Sequence, residues 1–165
     1  MLGLLATTGL SGACCAQDAT QQREAQLKAA YVFNFLKFVD WDARATGTTL
    51  DVCFTGAEEV REALALASSD KLVATRSIRV RSLAANASND DCEVMYVDAS
   101  HPPIGHMPGS ALSVGDAPEF TKNGGIIRLY TESNRLRFVI NVANARTAGL
   151  QISSNLLKLA SQVEQ

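Results

Sequence analysis

Asp98, His101 and His106 form the one cluster in this chain whose residue types suit a metal ion. Carboxylate and imidazole ligands would select zinc or a similar borderline cation. The two histidines lie in SHPPIGHMPG, Ser100 to Gly109, where three prolines and two glycines dictate a loop. Neither a fourth ligand nor a helical or strand spacing fixes them, so they read as solvated or locally hydrogen-bonded histidines. The carboxylates Glu58-Glu59, Asp90-Asp91 and Glu93 read as helix-start or loop charges rather than an acid/base pair. Ser113, Asp116 and either histidine supply the types of a hydrolytic triad, but no motif positions them. GxGxxG, GxxxxGK[ST], a nucleophile elbow and HExxH are all missing. The expectation is a protein with no catalytic residue, no metal site and no cofactor.

Cysteine chemistry is more informative. Cys14 and Cys15 fall in an uncharged apolar leader, which leaves Cys53 and Cys92 as the pair of the remaining chain. Cys53 lies within the apolar run Leu50–Phe54, and Cys92 just precedes the run Val94–Val97. On neighbouring strands the two would be in reach of a disulfide, closing a loop of about 40 residues worth ~3–4 kcal/mol in the chain-entropy model. The alternative is two buried free thiols.

Binding chemistry centres on arginine and on aromatic rings. Arg128, Arg135, Arg137 and Arg146 crowd the C-terminal part of the chain, and Arg135 and Arg137 share a strand face opposite Leu136, Phe138 and Ile140. Such a face suits an anionic ligand or an acidic partner patch. It equally suits a solvated sheet surface with weak cross-strand pairs such as Glu132 to arginine. Tyr31, Phe33, Phe35, Phe38 and Trp41 are five of the ten aromatic residues, within eleven positions. That density suggests an exposed partner strip through Phe33 and Trp41. The plainer reading is a helix that covers a sheet, with Trp41 plugging its end.

The elements that must position these residues follow from periodicity. Glu24 to Val39 predicts an amphipathic helix with Leu27, Tyr31, Phe35, Phe38 and Val39 inward and Gln26, Lys28, Asn34 and Lys37 outward. Leu50–Thr55, Ser77–Ser82, Val94–Asp98 and Ala111–Val114 read as strands, and Glu58–Ala67 as a helix turning Val60, Leu64 and Ala67 inward. From Gly124 the chain reads GGIIRLYTESNRLRFVINVANARTAGLQISSNLLKLA: a hairpin turning at Ser133-Asn134, then two short helices. Asn141 and Ser153 or Ser154 serve as caps, with Gly149 closing the first helix. Strand–helix–strand order predicts a single compact α/β domain, about residues 24–162. Its sheet should be mixed and mainly parallel, flanked by helices, and end in the antiparallel hairpin. Ligands of such sheets favour the carboxyl ends of strands, which nominates Thr55, Gly56, Ser100 and His101.

Composition sets the class. At 165 residues, 47% apolar and 19% charged, this is one ordinary globular unit, and a net charge of -2 with pI ≈ 5.7 argues against nucleic acid. Residues 1–16, MLGLLATTGLSGACCA, resemble the apolar and cleavage regions of a secretory signal without its basic start. A lipoprotein signal ending at Cys14 or Cys15 is the alternative, although Ser11-Gly12-Ala13 departs from the usual Leu-led pattern. Export would place the chain where disulfides persist.

Five segments together resemble the YfiR-like periplasmic proteins: AQLKAAYVFNFLKFVDW at 25–41, DVCFTG at 51–56, DCEVMYVD at 91–98, ALSVGDAPEF at 111–120, and NRLRFVINVANARTAGLQISSNLLKLA at 134–160. The likeness runs from about residue 24 to 160, and departs at Asp42, where the family often has proline. It implies a periplasmic α/β protein, often a homodimer, that represses an inner-membrane diguanylate cyclase by binding its periplasmic sensing domain. Repression would lower cyclic-di-GMP signalling and biofilm formation, and an outer-membrane lipoprotein would sequester the repressor. Cys53 and Cys92 match one family disulfide in position. A second family disulfide has no counterpart, since residues 121–128 contain no cysteine. The rival class is a periplasmic small-molecule sensor without a cyclase partner.

Overall fold

The computed structural model describes residues 13–41, 47–84, 90–100 and 109–165. Helix α1, Ala13–Phe38, begins eleven residues before the predicted start. The export signal expected over residues 1–16 falls largely outside the described residues. Ala25, Ala29, Val32, Phe33 and Leu36 are buried at three- and four-residue steps, which makes them the inward stripe. Leu27, expected inside, is 45% exposed. The correction has a simple cause: the phase of the buried stripe is set by alanines 25 and 29, which carry little hydrophobic signal, in a helix that packs closely against α2. Phe35 and Tyr31 continue the contact by packing at 5.1 and 5.9 Å on the ring of Phe138.

Strand β1, Val39–Asp40, follows α1 directly, and β2, Thr49–Thr55, opens the main sheet. Gly56 (φ 72°) and Ala57 (φ 50°) turn the chain through the left-handed region into α2, Glu58–Ser68. Val60 and Leu64 of α2 are buried as predicted, but Ser68 takes the inward place assigned to Ala67. Its hydroxyl donates to the Leu64 carbonyl at 2.7 Å, which makes that polar burial tolerable. A two-residue turn with positive φ at Ala74 and Thr75 joins β3, Leu72–Val73, to β4, Arg76–Ser82. Strands β5, Val94–Val97, and β6, Leu112–Gly115, then lead to the hairpin of β7, Ile127–Glu132, and β8, Arg135–Asn141.

Ser133 and Asn134 hold φ of 49° and 60°, the type I′ geometry that matches strand twist. Asn141 accepts the Asn144 N–H at 2.9 Å and caps α3, Val142–Thr147, while Gly149 (φ 71°) follows its end. Ser153 caps α4, Ser154–Leu159, which lies between β9, Gln151–Ile152, and β10, Gln162–Glu164.

The eight-stranded sheet runs β10-β8-β7-β6-β5-β2-β4-β3, and β1 pairs with β9 in a small second sheet. Pairs β2–β4, β2–β5, β5–β6, β6–β7 and β8–β10 are parallel, while β7–β8 and β3–β4 are antiparallel. The sheet is therefore mixed and mainly parallel, in one α/β domain. On its helix side, Leu50, Val52, Phe54, Tyr96, Val114, Leu129 and Ile140 meet α1 and α2 in the main core. On its other side a smaller cluster gathers Cys53, Cys92, Met95, Val97, Leu83 and Phe120. Among the described residues no helix is long and apolar enough to cross a membrane.

Candidate functional site

Strand order reverses between β2 and β5, because the chain leaves β2 toward β4 and returns to the opposite neighbour. The carboxyl ends of those strands border a crevice of about 220 Å³, lined in part by Lys28, Ala57, Glu59, Asp98 and Asp116. Thr55 ends β2 here with Gly56 just after it, and Ser100 follows β5. The Thr55 hydroxyl is buried and donates to the Tyr96 carbonyl at 3.3 Å, so it faces the sheet rather than a ligand. The Ser100 hydroxyl donates to Asp98 at 2.5 Å. His101 and His106 lie outside the described residues, and among those described no group of three or more His, Cys, Asp or Glu is placed to hold a metal.

The centre of the crevice is a node the sequence reading missed. Lys28 of α1 donates to Asp116 at 2.8 Å and pairs with Glu24, one helical turn earlier, at 3.2 Å. Asp116 also accepts the Ala99 N–H at 2.7 Å and the Tyr96 hydroxyl at 3.3 Å. Burial works against the Lys28 charge, but the Asp116 and Glu24 carboxylates outweigh it and hold its pKa above the ordinary value. Burial, reinforced by Asp116, pushes the Tyr96 phenol well above its ordinary value. Tyr96 therefore stays a protonated donor. The Glu24-Lys28 spacing was the available signal; that Asp116 follows the strand end at Gly115 completes it only in three dimensions. The imagined triad does not form among the described residues: Asp116 serves this node, while Ser113 Oγ is buried and accepts the Ile126 N–H at 2.9 Å.

The arginines divide. Arg135 and Arg137 share one face of β8, as predicted, and that face lies on the disulfide side of the sheet, with Arg128 and Tyr130 on the same side of β7. Arg137 pairs with Glu132 at 3.0 Å, and the Arg128 guanidinium stacks 4.8 Å from the centre of the Tyr130 ring. Arg146 sits in the last turn of α3, beyond the far end of β8, about 20 Å of strand from Arg135. It does not join the patch.

The aromatic strip is corrected. Phe33 is only 8% exposed and belongs to the main core, with the Lys37 and Lys71 ammonium groups over its ring at 4.2 and 5.0 Å. A buried ring offers no docking area. Trp41 is half-buried against the same core and donates from Nε1 to the Leu36 carbonyl at 3.0 Å, satisfying an orphan acceptor at the end of α1. The plainer of the two readings describes both residues.

Cys53 and Cys92 form a disulfide with Cα atoms 5.9 Å apart, so the free-thiol alternative falls away. Both are buried, and Arg81 approaches Cys92 Sγ at 3.5 Å. Close by, Arg79 clamps the buried Asp51 carboxylate through two hydrogen bonds of 2.6 and 2.7 Å. Phe120 closes this cluster: a Cβ at Gly115 would stand 2.6 Å from its ring, and one at Gly125 would collide with it outright.

A family model described as YfiR/HmsC-like matches residues 25–161. None of the curated proteins compared matches the chain. Among solved structures, the crystal structure of a "conserved domain protein" from Vibrio cholerae O1 biovar El Tor str. N16961 matches with a TM-score of 0.54 at 14% identity. The match covers 85% of this chain and 60% of that one, so this chain spans about three fifths of its length. The likeness is one of fold.

Proposed function

The chain belongs to the YfiR/HmsC-like family of periplasmic diguanylate-cyclase regulators, and from that premise we propose that it binds the periplasmic domain of an inner-membrane diguanylate cyclase and holds it inactive. The family match over residues 25–161 carries this reading. The geometry supports it: Lys28, Thr55 and Asp116, at the strand-order reversal, are engaged in structural contacts. Repression needs no bond-making. It needs unequal affinity for two states of the partner, and moving an equilibrium from 1:99 to 99:1 takes a preference of about 5.5 kcal/mol.

Arg135 and Arg137 are the contact we assign to an acidic patch on that partner, because their strand face projects away from the core. Trp41 and Arg146 flank other surfaces and have a lesser claim. Homodimer formation and sequestration by an outer-membrane lipoprotein belong to the same proposal, as does export through residues 1–16. The test is capture: the mature chain, immobilised and incubated with solubilised membranes of its source, should retain a membrane protein with a cyclase domain. Retention of none would overturn the reading.

A ligand-sensing role would have to use the crevice at the strand reversal. Its volume of about 220 Å³ falls below the ~300–1,000 Å³ usual for ligand pockets. A thermal-shift screen of nucleotides and amino acids checks it, since a ligand of the native state raises Tm by mass action.

A further inference from the structure

Helices α1 and α2 leave a trough of about 630 Å³ between them, on the side of the sheet opposite Arg135 and Arg137. Each helix contributes one stripe. On α1 it runs through residues 18, 21, 22, 25 and 26, and on α2 through 59, 62, 63, 66 and 67. Both stripes repeat at three and four residues, the spacing by which a helix presents one face to another helix. On α2 this stripe is not the one turned inward, since α2 buries Val60, Leu64 and Ser68 instead, while on α1 it borders the inward stripe at Ala25. Two helices side by side thus present a seat for a third.

The chemistry of the seat is specific. Ala25, Ala63 and Ala67 are short enough to let a helix backbone come close, and Leu66 stands 80% exposed as the large apolar contact. The charged residues lining it, Asp18, Glu59 and Glu62, are all acidic. We propose that this trough docks an amphipathic helix of a partner protein, with a narrow Leu/Ala stripe facing Leu66 and lysine or arginine on both flanks. The occupant is basic because a helix with acidic flanks would meet three like charges at the rim. Resting on the reading of this chain as a partner-binding regulator, the proposal adds a second surface, opposite in sign to the arginine face. One protein can then engage two partners of different charge.

The probe is a synthetic amphipathic helix of about 18 residues, long enough to hold helical structure, with Leu/Ala on one stripe and Lys/Arg on its flanks. Its counterpart carries Glu on the same flanks. The full chain is titrated with each by calorimetry and by amide NMR. The basic helix should bind, shift the resonances of Ala63, Leu66 and Ala67, and weaken as salt rises. Glu59→Lys/Glu62→Lys should weaken it about tenfold or more and gain the acidic helix, by the cost of opposing like charges. Glu119→Lys/Glu132→Lys makes the same change in net charge away from the trough and should alter binding less than about twofold. Leu66→Gln should weaken binding severalfold with Tm unchanged, because that side chain contributes little to the core. Equal binding of both helices, equal effects of the two charge reversals, or shifts mapping to the arginine face would each overturn the proposal. The cyclase periplasmic domain is titrated in parallel. Helix binding without cyclase binding sinks the functional reading alone, and cyclase binding without helix binding sinks the trough alone.

Discussion

The two sides of the sheet differ in what their residues are for. On the helix side, Leu50, Val52 and Phe54 meet Val94, Tyr96, Leu112 and Val114 across parallel strands, and α1 and α2 close over them. On the other side the same strands present Asp51, Cys53, Arg79 and Arg81, and further along Arg128, Tyr130 and Arg137. A largely parallel sheet needs cover on both faces. Here one face is covered by helices and the other by a disulfide, a phenylalanine wedge and stacked guanidinium groups. The first arrangement is generic to folding. The second leaves charged, planar side chains at a surface, and that is where binding is economical.

Phe35→Ala should separate the two sides most sharply. The ring is 1% exposed and packs on Tyr31 and Phe138, so its loss should cost ~3–5 kcal/mol in urea unfolding. A cost below about 1 kcal/mol would mean that α1 is not seated as described. Cys53→Ala/Cys92→Ala comes next, at ~3–4 kcal/mol for a loop of 39 residues. Reductant should mimic that double variant, and the variant itself should be insensitive to reductant. If reductant destabilises the variant as well, the bridge is not its target.

Gly125→Ala tests the wedge and should cost ~1–3 kcal/mol by overpacking against Phe120. Phe120→Leu in the same chain should recover part of the loss; if the two changes simply add, the clash is not the cause.

The smallest effect belongs to the ionic node. Lys28 and Tyr96 both have raised pKa values in the fold, so folding favours their protonated forms. Their contribution is complete below the ordinary values, 10.5 for Lys28 and 10.0 for Tyr96, and is lost as pH rises through the higher folded values. Stability should be insensitive to this node at neutral pH and fall on the alkaline side. Lys28→Met should make that alkaline fall shallower in urea unfolding from pH 9 upward; an unchanged slope would mean the Lys28–Asp116 pair does not form in solution.

Much of this comparison was legible in the residues. Strand alternation announced β2, β4, β5, β7 and β8, because a buried apolar run or a two-residue period survives whatever packs on it. Asn141, Gly149 and Ser153 announced the C-terminal helices for the same reason: a cap is a local contract between side chain and backbone. The stripe of α1 was misread because Ala25 and Ala29, the residues that set its phase, have little hydrophobic signal, whereas the louder Leu27 points to solvent. Phe33 was open to two readings because ring density does not distinguish a docking strip from a core. Lys28, Tyr96 and Asp116 come from a helix, a strand and a loop up to 88 positions apart, and only the strand order unites them. The short strands β1, β9 and β10 carry no periodicity of their own and exist through their partners.

The central claim is that this chain acts by holding a cyclase in one state. The direct measurement is cyclic-di-GMP synthesis by the full-length membrane cyclase in proteoliposomes, with the chain added on the periplasmic side. Synthesis should fall in a saturable way as the chain is added, and Arg135→Glu/Arg137→Glu should demand a higher concentration for the same inhibition while unfolding at an unchanged urea midpoint. Undiminished synthesis at concentrations where the chain demonstrably occupies the cyclase would contradict the account.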